Sequence, residues 1–137
     1  MATVFADLTS VEGTRRNLGA LFPSSAVYMS KTRVDGHPEI ARYLAGAFVR
    51  TLQYINSHTP EQIMAVIPPE ISGKDRAAYL KMLKEEIPMF ANDGRMPDDG
   101  ATKECRVLAA ANPAYESVKV DRTYTNAFVE EALRTLR

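Results

Sequence analysis

Between Pro38 and Ile55 the inward positions Ile40, Leu44, Ala47, Phe48, Thr51, Leu52 and Ile55 return at i, i+4, i+7 spacing. That is the repeat of one helical face. Glu39, Arg42, Arg50 and Gln53 fall on the opposite side. Pro38 suits the first helical position, where its missing N–H has no intrahelical partner to lose. Thr59-Pro60-Glu61-Gln62 reads as a capping box that opens a short helix, stopped at Pro68-Pro69. Ser72-Gly73 restarts a helix with Leu80, Leu83 and Ile87 inward, and Pro88 ends it. Asn92-Asp93-Gly94 is a turn. Pro97-Asp98-Asp99 opens a further helix, acids being favoured at the positive end of the helix dipole. Its inward stripe is Ala101, Cys105, Leu108 and Ala109, bounded by Pro113. Thr125 is the candidate cap of the last helix, with the stripe Phe128, Val129, Ala132, Leu133 and Leu136.

The first third of the chain has a different pattern. Thr3 to Leu8 is a short apolar run that predicts a strand. Ser10 to Leu18 predicts a short helix closed by Gly19. Phe22-Pro23-Ser24-Ser25 is a turn, and Ala26 to Ser30 is the best strand candidate, ended by Asp35-Gly36. The expected fold is therefore α+β and mostly helical. It forms a single domain over 1–137, with a short β element and turn in 1–36 and helices in 37–137. On this reading Phe48 and Leu133 are core residues whose truncation costs about 2–5 kcal/mol. Arg50→Ala, on the polar side, should stay within about 0.5 kcal/mol.

Composition narrows the function classes. Lys plus Arg number 17 and Asp plus Glu number 17, for zero formal net charge. Nucleic-acid binding rests on basic surface, so no nucleic-acid partner is expected. The start, Met1 to Asp7, has no basic n-region or apolar h-region, so no signal peptide is expected in this chain. Cys105, the lone cysteine, falls on an apolar stripe and reads as an inert thiol. His37 and His58 sit at predicted helix boundaries and are too few and too far apart for a zinc set. Asp93, Asp98 and Asp99 lack the alternating ligand spacing and closing glutamate of a calcium loop. Phosphate-loop, dinucleotide and nucleophile-elbow motifs are absent. No catalytic residue, metal or cofactor is expected, and the chain does not read as an enzyme.

One ordered set of motifs goes further. Phe48-Val-Arg-Thr-Leu-Gln-Tyr-Ile-Asn56, His58-Thr-Pro-Glu-Gln-Ile63, Ile67-Pro-Pro-Glu70, Pro88-Met-Phe-Ala-Asn-Asp-Gly-Arg-Met-Pro97 and Lys119-Val-Asp-Arg-Thr-Tyr-Thr-Asn-Ala-Phe-Val129 stand in sequence. Upstream is Phe5-Ala-Asp-Leu-Thr-Ser-Val-Glu-Gly-Thr14. In this order they resemble the C-terminal part of the solute-binding proteins of ABC-type nitrate/sulfonate/taurine importers.

The resemblance implies a C-terminal fragment of a type II periplasmic-binding-protein α/β fold. It implies the binding component of an importer for a small anionic or organic solute, extracytoplasmic in the intact protein, with an ABC permease as partner. In that group the loop entering a "Y-P-x-x-A-L-Y" strand lies near the interlobe cleft. Here it is Phe22-Pro-Ser-Ser-Ala-Val-Tyr28, so Phe22, Ser24 and Ser25 are the implied ligand-binding residues. Phe22 stands where the group has tyrosine. Two other readings remain: a fragment like the thiamine pyrimidine synthases of the same fold family, and a stand-alone helical interaction domain. Strand edges and helix faces left without their covering parts imply that the chain self-associates as a homo-dimer.

Overall fold

The computed structural model describes residues 5–6, 8, 10–19, 23, 25–97 and 99–136. Among them there are helices and no strands. Helix α1 spans Val11–Leu18, α2 Lys31–Gly36, α3 Pro38–Ser57, α4 Pro60–Val66, α5 Pro69–Ser72, α6 Arg76–Glu86, α7 Gly100–Ala111 and α8 Ala127–Thr135. Short 3-10 turns lie at Ile87–Met89, Pro113–Ser117 and Val120–Arg122.

This overturns the α+β expectation, and with it the reading of the chain as a fragment of an α/β binding-protein fold. Phe5, Ala6 and Leu8 are in no strand, and Thr3, Val4 and Asp7 lie outside the described residues. Ala26 to Ser30 is irregular, with Tyr28 94% exposed. A strand exists only by pairing its backbone along a ladder, and no described segment offers one here. The chain instead turns into α2. The Ser30 hydroxyl accepts from Arg33 N–H at 3.3 Å, and Lys31 pairs with Asp35 one turn on. The 1–36 segment is thus a helix, an irregular stretch and a second helix, not a β element.

The helix starts follow from local chemistry. The Ser10 hydroxyl accepts from Gly13 N–H at 3.0 Å, and Gly19 closes α1 at φ 78°. That left-handed conformation carries no penalty for glycine. Thr59 and Gln62 form the capping box: Gln62 N–H donates to the Thr59 hydroxyl at 3.3 Å, and Thr59 N–H donates to Gln62 Oε1 at 2.8 Å. Asp75 accepts from Ala78 N–H at 2.9 Å and starts α6.

Among the described residues, the buried apolar side chains fall in two packing units. In the first, α4 lies against α6 around Ile63, Met64 and Leu83, with Tyr54, Ile55, Ile67, Tyr79, Leu80 and Ile87 partly buried around them. Arg76 fastens this unit. Its guanidinium donates to the Met64 carbonyl at 2.9 Å and to the Ser72 hydroxyl at 3.0 Å. Lys84 pairs with Glu61 at 2.7 Å across the same helices and holds the Glu61 carboxyl below its ordinary pKa.

The second unit joins α3 to α8, far apart in sequence. Val49 is 1% exposed, and Ala132 of α8 is also buried. Phe128, Val129, Leu133 and Leu136 are half-buried. Arg42 donates to Glu131 at 3.1 Å along one flank. The turn after α6 is tied to both helices. Asn56 donates to the Asn92 carbonyl at 3.2 Å. Asn126 pairs with the Met96 backbone in both directions, accepting at 2.9 Å and donating at 3.1 Å. Gly94, at φ 83°, sits so close that a Cβ there would lie 3.2 Å from Leu52 Cδ1.

The face of α3 differs from the expected one. Val49, with Ala45 and Leu52 beside it, turns inward. Leu44, Ala47, Phe48 and Thr51 are exposed, Phe48 by 50%. At about 100° per residue, the apolar positions of α3 cover roughly two-thirds of its circumference. Such an arc contains two stripes, and α8 occupies only one. Phe48 is accordingly not a core residue of this chain.

Total accessible surface is 10358 Å². A compact protein of 15.2 kDa exposes about 7,100 Å², and its unfolded chain about 22,000 Å². The chain therefore buries only about half of its unfolded surface, where a protein of this size ordinarily buries about 68–70%. The helices are laid out as an open array, with much apolar surface uncovered.

Candidate functional site

Of the residues implied for ligand binding, Phe22 and Ser24 lie outside the described residues. Ser25 is exposed in the irregular segment that leads to α2. Pro23, between them, is half-buried and seated on the start of α7, where a Cβ on Gly100 would lie 3.4 Å from its ring. Pro23 is therefore anchored beside α7. Further along, the end of α1 and one face of α7 border an open, shallow depression of about 350 Å³, lined by Leu18, Gly19, Lys103, Arg106, Val107 and Ala110.

Local sequence explains this lining. Lys103, Arg106, Val107 and Ala110 follow i, i+3, i+4, i+7 spacing and so share one helical face. The lining sets apolar side chains beside two cations. Lys103 is held in place: its ammonium donates to the Gly19 carbonyl at 3.1 Å and to Asp99 at 2.9 Å. The Asp99 carboxyl is kept below its ordinary pKa, chiefly by the hydrogen bond from Lys103, with Arg15 adding to the field. Arg106 is exposed, and its guanidinium has no acceptor among the described residues. Lys103 is already paired with Asp99, so the exposed Arg106 guanidinium one turn away is the cation that suits a small anion bringing an apolar tail or none.

A second groove of about 250 Å³ lies between α3 and α8, lined among others by Tyr43, Gly46, Ala47, Arg50, Phe128 and Leu136. The two histidines end helices. His37 pairs with Glu39 at 3.2 Å. His58 stacks on Tyr54 with ring centroids 3.8 Å apart, its Nδ1–H donating to the Tyr54 carbonyl at 2.8 Å. Cys105 is half-buried and donates to the Tyr115 carbonyl at 3.4 Å. Asp93 pairs with Arg95, and Asp98 lies outside the described residues. Among the described residues no three His, Cys, Asp or Glu side chains converge as a metal set, and no helix is long and apolar enough to cross a membrane.

No family model and no curated protein matches the chain. A solved structure of a protein from Bordetella bronchiseptica RB50 has the same fold, with a TM-score of 0.90 over 98% of this chain at 24% identity. The match takes up 43% of that protein's chain, so this chain spans less than half of its length. At this identity the likeness is one of fold.

Proposed function

We propose that the chain is a helical section of a solute-binding receptor for an ABC-type importer, taking a small anion such as nitrate, a sulfonate or taurine. The observation that carries this reading is the pair of cations, Lys103 and Arg106, that line the depression between the end of α1 and α7. The ordered motifs from Phe5 to Val129 point to the same class of receptor. In the intact receptor the site works outside the cytoplasm, and an ABC permease is its protein partner. The site binds and releases its ligand unchanged. Leu18, Val107 and Ala110 offer apolar contact to one side of the ligand, and Arg106 supplies a charge that is not already paired.

Thermal-shift measurements at constant ionic strength test this, with nitrate, taurine and methanesulfonate against a neutral sugar. A ligand at ten times its Kd stabilises by about 1.4 kcal/mol, which raises the Tm of a chain this size by about 4–5 °C. At least one anion should do so, and a Lys103→Ala/Arg106→Ala double variant should lose the shift. No shift with any of the anions, or an equal shift in the double variant, would refute the proposal.

A further inference from the structure

Gly46 stands in the interior of the 20-residue α3, where glycine weakens a helix relative to alanine. Packing does not account for it. A helix keeps an interior glycine when a neighbouring element comes too close for a Cβ, but a Cβ on Gly46 would meet nothing within 4 Å. Contact with α8 therefore does not require this glycine. Its bare backbone instead leaves room in the groove between α3 and α8, which Gly46 and Ala47 line on the α3 side.

The other lining residues define what fits there. Tyr43, 77% exposed, and Phe128, half-buried, bring one aromatic ring from each helix. Arg42 is already paired with Glu131 at 3.1 Å, so these two charges cancel. Arg50 differs. It lies one turn beyond Gly46 on the same side of α3, is exposed, and its guanidinium has no acceptor among the described residues. The groove thus carries one uncompensated positive charge. Its volume of about 250 Å³ is below the roughly 300 Å³ at which clefts for drug-sized ligands begin, which suits a ligand of a single ring.

We infer that the groove between α3 and α8 is a binding site for a small aromatic carboxylate such as benzoate. The ring lies over the bare backbone at Gly46, between Tyr43 and Phe128. The carboxylate takes the Arg50 guanidinium, whose fork of N–H donors matches its two oxygens. This site is separate from the depression between α1 and α7, and it does not depend on the solute reading.

Benzoate titrated into nitrogen-15-labelled chain at constant ionic strength tests this. Amide signals of Tyr43, Gly46, Ala47, Arg50 and Phe128 should move along saturable curves, with a dissociation constant of about 1 mM or tighter. Benzamide keeps the shape without the charge, and acetate keeps the charge without the ring. Each should bind at least about 10-fold more weakly, and Arg50→Ala should weaken benzoate as much. Lys103→Ala/Arg106→Ala should leave the curves unchanged. Gly46→Leu fills the groove and should abolish binding while melting no lower than the wild type, because leucine favours the helix and its Cβ meets no neighbour. No saturable shift at these residues, benzamide or acetate binding as tightly as benzoate, or undiminished binding in Arg50→Ala or Gly46→Leu would overturn the inference. A Gly46→Leu chain that melts well below the wild type would show that packing requires the glycine, and would overturn it too.

Discussion

Replacing Val49 by alanine removes the most buried side chain at the contact that joins α3 to α8. Two methyl groups leave a site that is 1% exposed. At about 0.8 kcal/mol per buried methylene the transfer loss is about 1.6 kcal/mol. Whatever volume fails to collapse adds about 24 cal/mol per Å³. Ala45 and Gly46 are already small, so α8 has room to settle inward and recover part of that volume. The expected cost is therefore about 2 kcal/mol, which shifts a urea midpoint by about 1 M at the slopes usual for small domains. Phe48→Ala, the larger truncation one residue away, removes a half-exposed ring. At protein concentrations too low for association it should cost less than about 1 kcal/mol. Urea unfolding followed by circular dichroism, with hydrogen exchange read over 127–135, checks both. A Phe48→Ala cost above that of Val49→Ala in the monomer, or a Val49→Ala cost below about 0.5 kcal/mol, would refute the assignment of faces on α3.

Other consequences follow from the same contacts. Thr59→Ala removes one half of the α4 capping box and should cost about 1 kcal/mol, read as a drop in denaturation midpoint. Asn126→Ala removes both bonds to the Met96 backbone and should cost about 1–3 kcal/mol, with faster amide exchange at Met96. The Asp99 carboxyl is depressed by Lys103, so its contribution is full above the ordinary carboxylate pKa and is lost as pH falls through the lower folded value. A carbon-13 titration should place the Asp99 midpoint below that of an unstructured aspartate, and Lys103→Ala should return it.

The parts of the fold that were legible in the sequence are those fixed by neighbours in the chain. The capping box at Thr59, the glycine end of α1 and the inward set of Leu80 and Leu83 in α6 with Ile87 just after it all lie where spacing and side-chain chemistry put them. The misread parts depend on what lies far away. Ala26 to Ser30 has the composition of a strand, but a strand needs a partner that composition does not supply. The inward face of α3 was ambiguous because its apolar arc is too wide for periodicity to choose a side. Position along the chain alone cannot say that α8 takes the side of Val49.

The candidate site divides in the same way. Motif resemblance pointed to the turn at Phe22, Ser24 and Ser25, of which Ser25 is described and exposed. Lys103 and Arg106 belong to no motif, although their i, i+3 spacing with Val107 and Ala110 is visible in the sequence. A basic pair on a helix is ordinary until the Gly19 carbonyl at the end of α1, 84 positions from Lys103, accepts from it.

The proposal of an anion site is tested most directly by nuclear magnetic resonance. Taurine titrated into nitrogen-15-labelled chain at constant ionic strength should move the amide signals of Leu18, Gly19, Lys103, Arg106 and Val107 along saturable curves. Signals from α4 and α6 should stay still, and Lys103→Ala/Arg106→Ala should abolish the movement. Saturable shifts centred on any other part of the chain, or none with taurine, nitrate or methanesulfonate, would contradict the account.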